Sequence, residues 1–121
     1  DGNAIDSQTQ KGKIFHLKAQ EEYNSAQRKL YQELFDAYSD LQRSSITIES
    51  KKEIIASNTQ ALTLFKERYK QGLSTYIDAL ESQNALDTGL AGLAEAHYQR
   101  IQSYAKIQKL LYQGDAHVNK N

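Results

Sequence analysis

Leu34, Leu41, Ile48, Ile55, Leu62 and Tyr69 recur at every seventh position, and no proline interrupts them. Side chains repeated at that interval stay on one face of an α-helix. They require a facing helix, and the two wind together with a left-handed supercoil. Tyr23, Leu30, Ala37 and Phe65 reinforce the pattern at the companion positions. An internal proline would cost about 3 kcal/mol, so its absence is what an unbroken helix requires. The pattern runs from about Lys13 to Lys70, a helix roughly 85 Å long at ~1.5 Å per residue. A chain of 121 residues cannot hide such a helix inside a globular core. The sequence therefore predicts one component of an extended assembly.

The companion column turns polar in the middle, at Ser44, Lys51 and Asn58, with small Ser45, Ser57 and Thr59 alongside. Two readings stand. The stretch is either a weak, solvated centre of a coiled coil, or a helix packed closely against neighbours on both sides, where small residues permit near approach.

Gly72 then stands three residues beyond Tyr69, where a helix C-terminus favours a residue of left-handed conformation. Ser74 or Thr75 can cap a following helix, and Asp78 falls in its first turn, where the helix dipole favours a carboxylate. Asp78 and Glu81 lie one turn apart on one face. Their simplest reading is charge complementing that dipole; the functional one is a carboxylate ring at an opening, if several copies of the tip gather around an axis. The second helix is predicted from about Thr75 to Gln113, with a seam of Leu86, Leu90, Leu93, His97, Ile101, Tyr104, Ile107 and Leu111, and Gly114 as its stop. The predicted architecture is all-α, a long antiparallel helical hairpin of coiled-coil type. Residues 1–12 are read as a flexible lead-in, 13–114 as the hairpin with its tip near 71–75, and 115–121 as a polar tail. The first helix outruns the second, so its N-terminal surplus calls for a partner outside the chain. Beginning at Asp1 without a methionine, the chain reads as a piece of something larger.

Composition narrows the function. Fifteen basic and fifteen acidic residues cancel and intermingle, which leaves no basic face for nucleic acid and argues against an anionic membrane surface as main partner. Without cysteine there is neither a disulfide framework nor a thiolate metal site. No apolar run approaches the ~18 residues of a membrane-spanning helix. His16, His97 and His117 lie far apart with no ligand spacing, so no metal or other cofactor is expected. Gly89 and Gly92 sit inside the second helix, form no phosphate loop, and each costs about 1 kcal/mol relative to alanine, offset by close backbone packing or bending. Acidic and basic pairs such as Glu21/Glu22 and Lys51/Lys52 read as solvated helix faces. Nothing supports catalysis, and no enzyme is expected.

The run Tyr69-x-x-Gly72-x-x-Thr75-x-x-Asp78-x-Leu80-x-x-Gln83-x-x-Leu86 resembles the periplasmic tip of TolC-like outer-membrane efflux proteins. Upstream, Gly12-Lys13-Ile14, Ala19-Gln20, Tyr23 and Ala26 resemble the segment after that family's second membrane hairpin. Downstream, Leu110-Leu111-x-x-Gly114 resembles the point where the returning helix ends. The likeness covers about Gly12 to Gly114. It implies a trimer whose subunits join an outer-membrane barrel to a periplasmic α-barrel tunnel, each subunit being built from two similar halves. This chain would be the tunnel hairpin of one half, by its wording the second. The resemblance further implies a periplasmic adaptor and an inner-membrane pump as partners, the adaptor meeting the tip at Tyr69, Gly72, Leu73, Ser74 and Thr75. Asp78 and Glu81 would then stand near the entrance constriction. In some members a basic residue in the turn helps lock the closed tip; Ser74 at that place departs from the pattern. Tunnel-wall helices are wet on two sides and need only narrow apolar seams, which agrees with 39% hydrophobic residues and a mean hydropathy of −0.73. With no alternating membrane strands, the chain alone should be soluble and unable to conduct, and its unpartnered flanks should make it self-associate.

Two alternatives remain at this point. A periplasmic adaptor hairpin would carry a leucine four residues after its arginine, whereas Gly72 follows Arg68. A soluble coiled-coil scaffold would explain the heptads but not the spacing around the tip.

Overall fold

The computed structural model describes residues 2–119. It consists of two helices, α1 (Gly2–Lys70) and α2 (Tyr76–Asn119), joined by residues 71–75. No strand occurs among the described residues, and no helix is long and apolar enough to cross a membrane. Two packed units can be distinguished, Ala37–Lys109, and Asp1–Asp36 with Leu110–Asn121.

Within Ala37–Lys109 the two helices pack side by side as an antiparallel hairpin. On α1 the occluded positions are Ala37, Leu41, Ser44, Ile48, Lys51, Ile55, Asn58, Leu62 and Phe65, the seam read from the repeat. The facing seam on α2 is different from the predicted one. It pairs Leu86, Leu93 and Ile107 with a column of small residues, Ser82, Gly89, Ala96 and Ser103, spaced by seven. Leu90, His97, Ile101 and Tyr104 of the predicted seam are exposed on the helix surface. The reason is steric: a column of serine, glycine and alanine lets the backbones draw together, so contact is made where side chains are shortest.

That close approach packs the polar middle tightly on the side that faces α2. Ser44 is 6% exposed, and its hydroxyl donates to the Asp40 carbonyl at 2.8 Å, which satisfies it within its own helix. A Cβ on Gly89 would sit 3.3 Å from Ile55 Cγ1, and one on Gly92 would meet the Lys51 side chain at 3.2 Å. Lys51 is therefore not on a solvated face; its aliphatic stem lies across Gly92. The Asn58 amide donates to the Ala85 carbonyl at 3.3 Å, a side-chain bond between the helices.

In the second unit, residues 2–26 are helical and wholly exposed, Ile14, Phe15 and Leu17 included. The expected lead-in at 2–12 is helix. Once a helix exists, each added residue contributes a hydrogen bond without needing tertiary contact, and the Thr9 hydroxyl folds back on the Ile5 carbonyl at 2.9 Å. Leu30 and Leu34 are half-buried, while Leu110 is buried and Leu111, placed in the predicted seam, is about half exposed. Gly114 does not stop α2, which continues to Asn119. The glycine is packed on Leu30, whose Cδ2 would lie 3.4 Å from an added Cβ. Asp1 and the last two residues of the expected tail, with the His117 side chain, lie outside the described residues.

Candidate functional site: the hairpin tip

Residues 71–75 reverse the chain through two complementary helix ends. At the end of α1 the Leu73 N–H donates to the Arg68 carbonyl at 2.8 Å, and the Gly72 N–H to the Tyr69 carbonyl at 3.1 Å. This pair of bonds closes the last turn around a residue of left-handed conformation, Gly72, whose φ is +72°. Glycine holds that conformation without a Cβ penalty.

The start of α2 is a reciprocal cap. The Asp78 N–H donates to Thr75 Oγ1 at 3.2 Å, and the Thr75 N–H returns to Asp78 Oδ2 at 3.4 Å. The Ser74 hydroxyl donates to the same Oδ2 at 3.2 Å. Both candidate cap residues thus take part, Thr75 as the cap and Ser74 as a second donor. The Thr75 hydroxyl foremost, then its N–H and the Ser74 hydroxyl, hold the Asp78 carboxyl below the ordinary aspartate value. The charge on Asp78 is engaged with the turn. Glu81 is exposed on the turn that follows.

Apolar side chains crowd this polar frame. Leu73 is 73% exposed, Tyr76 62% and Ile77 63%, with Leu80 and Tyr69 about half exposed. Tyr69 is not buried in the seam that its repeat position predicts; its ring meets Tyr76 edge-on, with centroids 6.0 Å apart and planes inclined by 61°. Leu80 belongs to the run that carries the family resemblance, whereas Tyr76 and Ile77 are not among the tip residues read from the sequence. Their signal was available, because two consecutive large apolar residues at a helix start cannot both face a single partner helix. Among the described residues no His, Cys, Asp and Glu side chains gather as metal ligands.

The hairpin thus has a hydrogen-bonded reversal, an exposed apolar tip and exposed apolar side chains along its flanks. The sequence comparisons give its family. The family model for outer membrane efflux proteins matches residues 1–111. The outer membrane protein TolC of Escherichia coli strain K12 is 24% identical over 110 residues, covering 91% of this chain and 22% of that protein. Nodulation protein T of Rhizobium leguminosarum bv. trifolii is 28% identical over 107 residues, 88% of this chain and 21% of that one. TolC of Salmonella enteritidis matches at 24% identity over 110 residues. No solved structure matches significantly. The chain belongs to the outer membrane efflux protein family, and it spans about a fifth of the length of these relatives.

Proposed function

We propose that this chain is the periplasmic tunnel-wall hairpin of a trimeric outer-membrane efflux channel, and that its tip docks the periplasmic adaptor of a tripartite pump. The supporting observation is a family match that runs through both helices and the turn between them, at whose tip Leu73, Tyr76 and Ile77 stand in water. Exposed apolar side chains on a hydrogen-bonded frame are suited to contact with another protein, because little ordering entropy remains to be lost on binding. In this reading Tyr69, Gly72, Leu73, Ser74 and Thr75 form the docking surface, joined by Tyr76 and Ile77. Asp78 and Glu81 stand near the entrance constriction, Asp78 also closing the cap through Oδ2. The family gives no support to an enzyme, to the adaptor-hairpin reading or to a free scaffold.

The test is Leu73→Glu in the full-length protein, which buries a charge if the tip is docked. Drug resistance should fall while the amount of outer-membrane protein stays the same; unchanged resistance at normal protein level would remove the docking role. The isolated chain should self-associate through its exposed flanks, and strictly monomeric sedimentation at high concentration would contradict that.

A further inference from the structure

Three meetings between the helices repeat at heptad spacing on both sides. Asn58 Nδ2 donates to the Ala85 carbonyl at 3.3 Å. Seven residues away on each helix, the Lys51 side chain lies across Gly92. Seven further, Ser44 and Gln99 border one groove. The polar column of α1 therefore runs in register along a single column of α2, Ala85, Gly92 and Gln99, with Leu86 and Leu93 one residue to the side.

The Ala85 carbonyl is open to Asn58 because of Gly89. A helical carbonyl accepts the N–H four residues on and keeps a second lone pair. A side chain at that fourth residue leans back towards the N-terminus and covers the carbonyl. Gly89 has none, and a Cβ there would lie 3.8 Å from Asn58 Nδ2. Gly92 makes room for Lys51 in the same way, since an added Cβ would lie 3.2 Å from the Lys51 Cε.

We propose that this column is a rotational latch. Asn58 on the carbonyl uncovered by Gly89, with Lys51 across Gly92, sets which face α2 turns to α1. Two settings of α2 share Leu86, Leu93 and Ile107. The observed one adds Ser82, Gly89, Ala96 and Ser103; the other would add Leu90, His97, Ile101 and Tyr104. They differ by a turn of α2 of roughly 50°, half the angle between successive residues. Apolar burial alone favours the second, because Leu90, Ile101 and Tyr104 are 47%, 67% and 58% exposed in the first. That turn would carry Ala85 and Gly92 out of the seam and swing Leu86 and Leu93 towards Asn58 and Lys51. An amide and an ammonium would then stand against apolar side chains. The polar column opposes the apolar one, and it keeps Leu90, His97, Ile101 and Tyr104 outward.

The test is disulfide crosslinking in the full-length protein, in an otherwise cysteine-free background. Ile48 and Ala96, each 3% exposed, stand seven residues from the Ile55–Gly89 contact on their helices. Ile48→Cys should therefore bridge to Ala96→Cys and not to His97→Cys. A polyethylene glycol maleimide added after denaturation counts the thiols left free by gel shift. Asn58→Asp keeps the size and removes the donor; Asn58→Leu removes it without adding charge. In either variant the bridge to Ala96→Cys should fall several-fold and one to His97→Cys should appear. Bridging that stays with Ala96→Cys in both would overturn the latch even if the thermal midpoint drops, since Asn58 would then be an ordinary stabilising contact. Loss of both bridges from both variants would overturn it as well, because the bond would then hold the helices together without choosing their faces.

Discussion

Gly72 and Gly114 look alike in the sequence, each closing a run of helical periodicity, yet they do opposite things. Gly72 takes φ +72°, and α1 ends there with two backbone bonds folded around it. Gly114 lies inside α2, where an added Cβ would make ordinary contact with Leu30. A glycine is permission to leave the helix, not an instruction. At Gly72 the permission is used because the cap of a second helix, Thr75, stands three residues later. At Gly114 continued helix keeps its hydrogen bonds, and the missing side chain makes room for a neighbour.

The largest effect expected from this comparison is at Gly72. Gly72→Val forces a β-branched residue into the left-handed region, a cost of about 1–3 kcal/mol. The thermal midpoint of the chain, followed by far-UV circular dichroism at fixed concentration, should drop, and efflux by the full-length protein should fall. An unchanged midpoint would mean that the turn tolerates another conformation. Thr75→Ala comes next, removing the cap oxygen at a cost of about 1 kcal/mol; restoration by Thr75→Ser would assign the loss to the hydroxyl. Gly114→Ala should have the opposite sign and stabilise by up to about 1 kcal/mol, because Leu30 meets the new methyl at contact distance. A lowered midpoint there would make Gly114 a required glycine and erase the contrast.

The smallest effect is that of acid. The folded pKa of Asp78 is depressed, so its contribution is present above the unfolded aspartate pKa of about 4 and is lost as pH falls through the folded value. Between neutrality and strong acid, Asp78→Asn should show a slightly smaller fall in midpoint than the parent chain. Equal falls would show that the carboxylate adds nothing to the cap.

The tip was the most legible part of the site. Gly72, Thr75 and Asp78 act within a few residues of one another, and local hydrogen bonding fixes their geometry whatever the rest of the chain does. Tyr76 and Ile77 carry a sequence signal, two consecutive large apolar residues that cannot both face one partner helix, but which of them stays exposed depends on where that helix lies. The lead-in at 2–12 was misjudged for a related reason: polar residues and two glycines weaken a helix but do not end one that is already propagating.

The sequence by itself determined that α1 is a long helix, which of its residues form a seam, and where the chain turns back. Large apolar side chains at a fixed interval and a left-handed glycine are signals carried by each residue's own chemistry. Only the tertiary structure decided which face of α2 meets that seam. The apolar positions of α2 offered two candidate stripes, and the one chosen combines Leu86, Leu93 and Ile107 with Ser82, Gly89, Ala96 and Ser103. Small residues carry almost no hydrophobic signal, and their value appears only when a second backbone comes near enough to use the space they leave.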